Sequence, residues 1–476
     1  MLEKLAAKSG ASSAKASQQE PDGGMVQRQP GVTASEPWDQ ADLVRRVHLA
    51  LDLATGALDL IGSGRRPDVI RDSAEGDGPR FSSEKLVGET AMLLLCAMPL
   101  RRHEIDIADR IDALARRLVP LARKADILAA ICSDPGLARD YALPHAILSH
   151  IGYDDPSVDV LLSASLSIDP RFGPERLPNR RLEQEWLDRT WTSGASRPVP
   201  EPGLIGRTML GRPIDALGST RLDLYAFTHA VMYATDFGAR RPALPRSRRA
   251  IAADADAGLA FSLDTDDFDL TAELCLTWPM LGMSWSRTSA FAFRILASIE
   301  DEYGFVPGAG FNAAHHSSLT DQEKRDYALV TSYHASYTMG FLCAAAITCG
   351  ASPPKALPPV RGRRGAAAAL LSLIGSNDGD PTWTREAGGL SDRQQDAIAP
   401  LMLAAVLRRA KTRGDLALVR EALDAAVRHN LLEGPAPGQA AALLRRAIAL
   451  EAATRRFRGR SNPPKSLTVR STATDP

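Results

Sequence analysis

Apolar residues recur at three- and four-residue spacing along most of the chain, the period of a helix with one buried face. Val44, Val47, His48 and Leu51 open the pattern. Comparable runs predict helices near 84–98, 103–118, 120–132, 145–151, 222–237, 266–278, 284–302, 321–349, 365–375, 391–411, 416–430 and 437–456. Start signals accompany several of them. Thr320 and Glu323 have the spacing of a capping box. Asp264 to Asp267 offer N-caps for the next run, and Pro144 suits the first turn of a helix reaching His150. No alternating strand pattern precedes an Asn-Gly or Asp-Gly turn. The fold class is therefore all-α. Echoes among Asp140–Ala146, Tyr225–Ala230 and Asp326–Leu329 suggest a multi-helix α/α array or toroid-like bundle.

Polar, Ser- and Pro-bearing ends bound the helical region. Residues 1–36 are expected to be a disordered leader and 459–476 a disordered tail. A Pro- and Arg-rich break at 351–364 divides a main domain, 37–350, from a C-terminal helical bundle, 365–458. No run approaches the roughly 18 apolar residues of a membrane span, and no secretory h-region is present. Lys plus Arg equals Asp plus Glu at 57 each, so no global field draws nucleic acid or anionic lipid. Five dispersed cysteines read as free thiols in a reducing compartment. These features place the protein in the cytoplasm, with no nucleic acid and no membrane as partner.

The aromatic residues are unevenly spread. Seventeen of 26 fall between Tyr225 and Phe341, with four of the nine histidines. Within the 222–237 helix, Tyr225, His229, Tyr233 and Asp236 share an arc of roughly 80° on an otherwise apolar cylinder. Such a stripe faces an interior cavity or another polar helix. Tyr327, Thr331, His334 and Thr338 form a second stripe on the 326–349 helix. Asp269, Glu273 and Thr277 share a face on a third, with Glu273 set among leucines.

Two imidazoles and one or two carboxylates on three buried helices suit an Fe, Mn or Zn ion. They suit an acid–base site with tyrosine assistance equally well. A satisfied network that fixes helix register is the structural alternative, and Glu273 is expected to pair with an arginine such as Arg287 or Arg294. No His-x-x-x-His, Glu-x-x-His or Cys-x-x-Cys pair occurs, so no metal ligand and no cofactor is assigned. His145 and His150, five apart, point away from each other. The Gly304–Phe311 run reads as a loop tucked down by Phe305 and Phe311, with a lid as the alternative. His315 and His316 fall in a loop before Thr320. Arg240, Arg241, Arg246, Arg248 and Arg249 read as a solvated basic loop.

The stretch Tyr233-Ala234-Thr235-Asp236-Phe237-Gly238 and the pair Thr331-Ser332-Tyr333-His334 and Tyr337-Thr338-Met339-Gly340 resemble an uncharacterised all-helical family of high-GC bacteria. The resemblance lies within 222–238 and 326–343. It implies an accessory or tailoring role beside natural-product biosynthesis and names no substrate. The residues and the resemblance together give a cytoplasmic protein with a buried pocket of Tyr225, His229, Tyr233, Asp236, Glu273 and His334. It would be an enzyme or binder acting on a small molecule or peptide, with His229 as general base oriented by Asp236 or a tyrosine. The rival reading is a helical scaffold that binds a peptide or partner protein in a groove.

Overall fold

The computed structural model describes residues 36–62, 82–167, 175–191, 201, 203–357, 360, 363–375 and 380–460. The expected leader, most of the expected tail and part of the 351–364 break lie outside them. The described residues form helices, with one isolated bridge between Pro37 and Pro354 and no strand, so the fold is all-α. None of these helices is long and apolar enough to cross a membrane.

The Asp321–Thr348 helix is the central element. Glu323 accepts from the backbone N–H and the hydroxyl of Thr320, as the capping spacing predicts. From Tyr327 to Ala346 most of its residues are buried. Its most extensive neighbour is the Gln40–Gly62 helix. The two approach closely at Gly340, where a Cβ would lie 2.5 Å from the Cβ of Ala50. Glycine is required there by space rather than by backbone angle.

A buried charge cluster fastens the Gln40–Gly62 helix to the Arg287–Tyr303 helix. Arg46, 1% exposed, donates to Asp42 at 2.9 Å, Glu300 at 2.5 Å and Asp301 at 3.0 Å. A guanidinium taken out of water needs such partners on each of its nitrogens.

Sequence periodicity leaves out two helices that matter. Arg248–Asp264 carries Asp254 and Asp256 among its apolar residues, which breaks the pattern. Arg246 neutralises Asp254 at 2.6 Å, and Arg241 donates to the carbonyl of Met280. The arginine run is thus partly tied into the fold rather than wholly solvated. Gly258 of this helix lets Leu274 and Leu224 approach, since a Cβ there would meet them at 3.0 and 3.2 Å. Pro178–Trp191 is polar on most of its surface and buries Leu182, Trp186 and Leu187.

Two other expectations change and one holds. The helix ending at His150 starts at Ala138 and contains Pro144 in its interior. His315 and His316 belong to a short helix, Ala313–Ser318. The Gly304–Phe311 run is tucked down: Phe305 is buried, and Ser336 and Ser332 accept the N–H groups of Val306 and Gly308. Phe305 and Phe311 also pack edge-on with each other.

The C-terminal helices dock on Arg248–Asp264. Asp264 accepts two N–H groups from Arg409, at 2.7 and 2.9 Å, and one from Trp383 at 3.1 Å. One hydrophobic core runs from Leu43 to Leu444, through these helices and the earlier ones. All five cysteines are free thiols.

Candidate functional site

Five helices supply the site. The Arg221–Thr235 helix starts at a Thr220 capping box, in which Asp223 accepts from Thr220 and donates its N–H to the Thr220 hydroxyl. This start sets the phase of Tyr225, His229 and Tyr233, whose rings follow one another 6.0 and 5.9 Å apart. The Phe268–Cys275 helix is capped by Asp267 and places Asp269 and Glu273 one turn apart on one face. The Asp321–Thr348 helix supplies His334 and Thr338. Ser83–Ala97 supplies Glu89, and Pro178–Trp191 supplies Glu183.

His334 stands between two carboxylates. Its Nε2 is 3.2 Å from Oδ2 of Asp269 and its Nδ1 is 3.0 Å from Oε2 of Glu89. The Asp269 carboxylate accepts from the Tyr225 phenol at 2.6 Å on Oδ2 and from the Thr338 hydroxyl at 2.8 Å on Oδ1. Arg221 in turn donates to the Tyr225 oxygen at 2.9 Å. Glu273 accepts from the Thr228 hydroxyl through Oε2. Its Oε1 faces Nε2 of His229 at 3.6 Å, longer than a hydrogen bond.

The exposures give the site a floor and a mouth. The Asp269 and Glu273 side chains are 6% and 5% exposed, against 28% for His334 and 24% for His229. Carboxylates lie at the bottom and imidazoles at the opening. Burial disfavours the imidazolium of His334, yet Asp269 and Glu89 outweigh it and raise its pKa well above the ordinary value. Burial likewise opposes a charged His229, and Glu273 raises it on balance. Burial favours a neutral Asp269, but the His334 charge and three hydrogen bonds hold it well below the usual carboxylate range. Burial and the Asp269 charge push the Tyr225 phenol up, so it stays a donor.

The structure therefore gathers Tyr225, His229, Glu273 and His334. Tyr233 lies at the rim of the same face, where its phenol donates to Glu183 at 2.7 Å, and Glu183 pairs with Arg180. Asp236 is elsewhere. The helix ends at Thr235, Asp236 takes a left-handed conformation with φ 52°, and its Oδ1 accepts from Trp186 at 2.8 Å. It does not orient His229. Glu273 meets Thr228 and His229 in place of the expected Arg287 or Arg294. Tyr327, at the far end of the second stripe, anchors the Gly304–Phe311 loop by bonds with Asn312 and Gly310.

Glu89, Thr228 and Glu183 escape the sequence reading. Glu89 carries a signal in retrospect, as a carboxylate inside the run from Leu86 to Leu95. Two open cavities are lined by neighbours of the cluster and by none of Tyr225, His229, Asp269, Glu273 and His334. One, of about 470 Å³, is lined by Arg221, Asp267, Tyr303, Phe311 and Arg385 among others. The other, of about 530 Å³, is lined by Arg180, Glu183 and Arg139 among others. For a metal ion, one donor atom each from Asp269, Glu273 and His334 lie within 4.8 Å of one another. No curated protein and no solved structure matches the chain. The model of the family described as Domain of unknown function (DUF6895) matches residues 54–344, a span that holds every residue of this cluster, and the chain belongs to that family.

Proposed function

We propose that the protein is an enzyme of the acid–base class acting on a small polar molecule in the cleft of Tyr225, His229, Asp269, Glu273 and His334. The observation that carries the reading is the convergence of the polar stripes. Residues on three helices far apart in sequence meet within hydrogen-bond distance of one buried carboxylate. A scaffold would spread its special residues along a surface instead.

The roles follow from the contacts. Asp269 is saturated with donors and stays ionised, so it anchors rather than exchanges protons. His229 is the more exposed partner and makes no direct hydrogen bond to Glu273, so it is free to give or take a proton on a bound molecule. Glu273, held by Thr228, stabilises the charged imidazole. Tyr225 presents a neutral phenol backed by Arg221. The resemblance to families neighbouring natural-product genes supports an accessory or tailoring step, and we place that step in the cytoplasm.

Native mass spectrometry of the protein incubated with a polar-metabolite library tests this reading. The wild type should retain a small molecule that His229→Gln does not. Retention of nothing, or equal retention by a folded His229→Gln, would contradict it.

A further inference from the structure

The contacts of His334 carry an inference that rests on this cleft being the working site. Both ring nitrogens face carboxylates, Nδ1 toward Glu89 at 3.0 Å and Nε2 toward Asp269 at 3.2 Å. A neutral imidazole has one N–H and can satisfy only one of them. The other nitrogen then aims a lone pair at a carboxylate, unless a second proton or a cation lies between.

An imidazolium satisfies both carboxylates, and a metal ion in place of the Nε2 proton does so as well; the surroundings suit the ion. A carboxylate that takes the Nδ1–H of a histidine fixes the tautomer and leaves Nε2 as a donor pair, the arrangement that orients metal-binding imidazoles. Oε2 of Glu89, buried without a hydrogen bond of its own among the described residues, is the carboxylate oxygen within reach of Nδ1, at 3.0 Å. The Thr338 and Tyr225 hydroxyls fix both oxygens of Asp269. The Thr228 hydroxyl occupies Oε2 of Glu273, and Oε1, which faces His229 at 3.6 Å, has no hydroxyl donor among the described residues. The donor atoms of His334, Asp269 and Glu273 lie within 4.8 Å of one another. Metal–ligand bonds of about 2.0–2.2 Å bring opposed ligands to about 4.3 Å. Nε2 of His334 and Oδ2 of Asp269, 3.2 Å apart, already lie within that span.

The geometry points to a divalent metal site made of Nε2 of His334 and one carboxylate oxygen each from Asp269 and Glu273, with Glu89 orienting the imidazole. One imidazole and two carboxylates suit Mn2+, Fe2+ or Zn2+ rather than a thiophilic ion. Three protein ligands leave coordination positions open on the side of His229, as in catalytic rather than structural sites.

The test is equilibrium dialysis of the chelator-treated full-length protein against Mn2+, Fe2+ and Zn2+ separately, with metal analysis and a melting curve for each variant. The wild type should bind one equivalent saturably. Glu89→Gln should weaken binding about 10–100-fold, the usual effect of an outer-shell partner, and Glu273→Gln by more. Glu273→Gln keeps an acceptor for Thr228, so it is the variant expected to fold, and His334→Gln supplies the second ligand removal. No saturable binding by folded wild type, or equal binding by folded Glu273→Gln, overturns the site. Retention of a metabolite in the presence of chelator is a separate readout that tests the proton-transfer reading alone.

Discussion

Nε2 of His334 lies 3.2 Å from Oδ2 of Asp269, joining the central helix to a two-turn helix that starts at Phe268. That contact is what joins one stripe to the next. Tyr225 bonds the same Asp269 oxygen from a third helix, so a single carboxylate fixes the relative phase of all three. The packing that holds this phase, the protonation states around it and the role of His229 each lead to a measurable outcome.

The close crossing at Gly340 should not tolerate a larger side chain. A Cβ there would be 2.5 Å from Ala50 and 3.2 Å from Leu93. Overpacking of this kind costs about 1–3 kcal/mol, while replacing glycine within a helix returns at most about 1 kcal/mol. Gly340→Val should therefore be less stable than wild type, by up to about 2 kcal/mol, in urea unfolding. Adding Ala50→Gly should recover part of the loss. A Gly340→Val protein as stable as wild type would show that the helices are not packed this closely.

The periodic pattern shows the helices that are strongly amphipathic or apolar and the residues that repeat within them. Tyr225, His229, Glu273 and His334 are legible because helical phase alone puts each on a special face. Asp236 fails because the phase was carried past Thr235, where the backbone turns left-handed and sends the carboxylate to Trp186. Glu89 and Glu183 are invisible to phase analysis. Their relevance arises only when separate helices meet, and Glu183 lies on a helix whose polar surface hides its period. The Arg248–Asp264 helix is hidden because Asp254 occupies a buried position that its pairing with Arg246 makes tolerable.

His145 should behave as a structural histidine. Its side chain is fully buried, Arg123 donates to its Nδ1 at 3.2 Å, and its Nε2 meets Asp159 at 3.0 Å. Burial first, and Arg123 with it, hold its pKa below the ordinary 6.5 despite Asp159. The folded state thus resists protonation, and its contribution is present above pH 6.5 and lost as the pH falls below it. His145→Ala should cost about 1–3 kcal/mol at pH 8, less at pH 5, and leave metabolite retention unchanged. A deficit that grows on acidification would reverse the sign argued here.

Asp256 should titrate in the opposite sense. Burial pushes its carboxyl up to about 7, and the Ser286 hydroxyl at 2.5 Å only partly offsets this. The folded state keeps a proton that the unfolded chain has released above its ordinary 3.8. Stability should fall as pH rises from about 4 to about 7 and level off beyond. Asn cannot ionise, so the melting temperature of Asp256→Asn relative to wild type should climb through that window. A difference that is flat from pH 4 to pH 8 would show the carboxyl to be ionised throughout.

The most direct test of the cleft as a working site is the melting temperature of His229→Ala with and without the polar-metabolite library. His229 makes no direct hydrogen bond to Glu273, and its removal leaves Glu273 still bonded to Thr228. The variant alone should lose less than about 1 kcal/mol in stability, since the pair it breaks is long and partly solvated. The stabilisation that a bound metabolite gives the wild type, which grows with ligand concentration over its dissociation constant, should be absent. A variant that loses about 1–3 kcal/mol on its own and keeps the ligand-induced shift would contradict this reading and make the cluster a structural network.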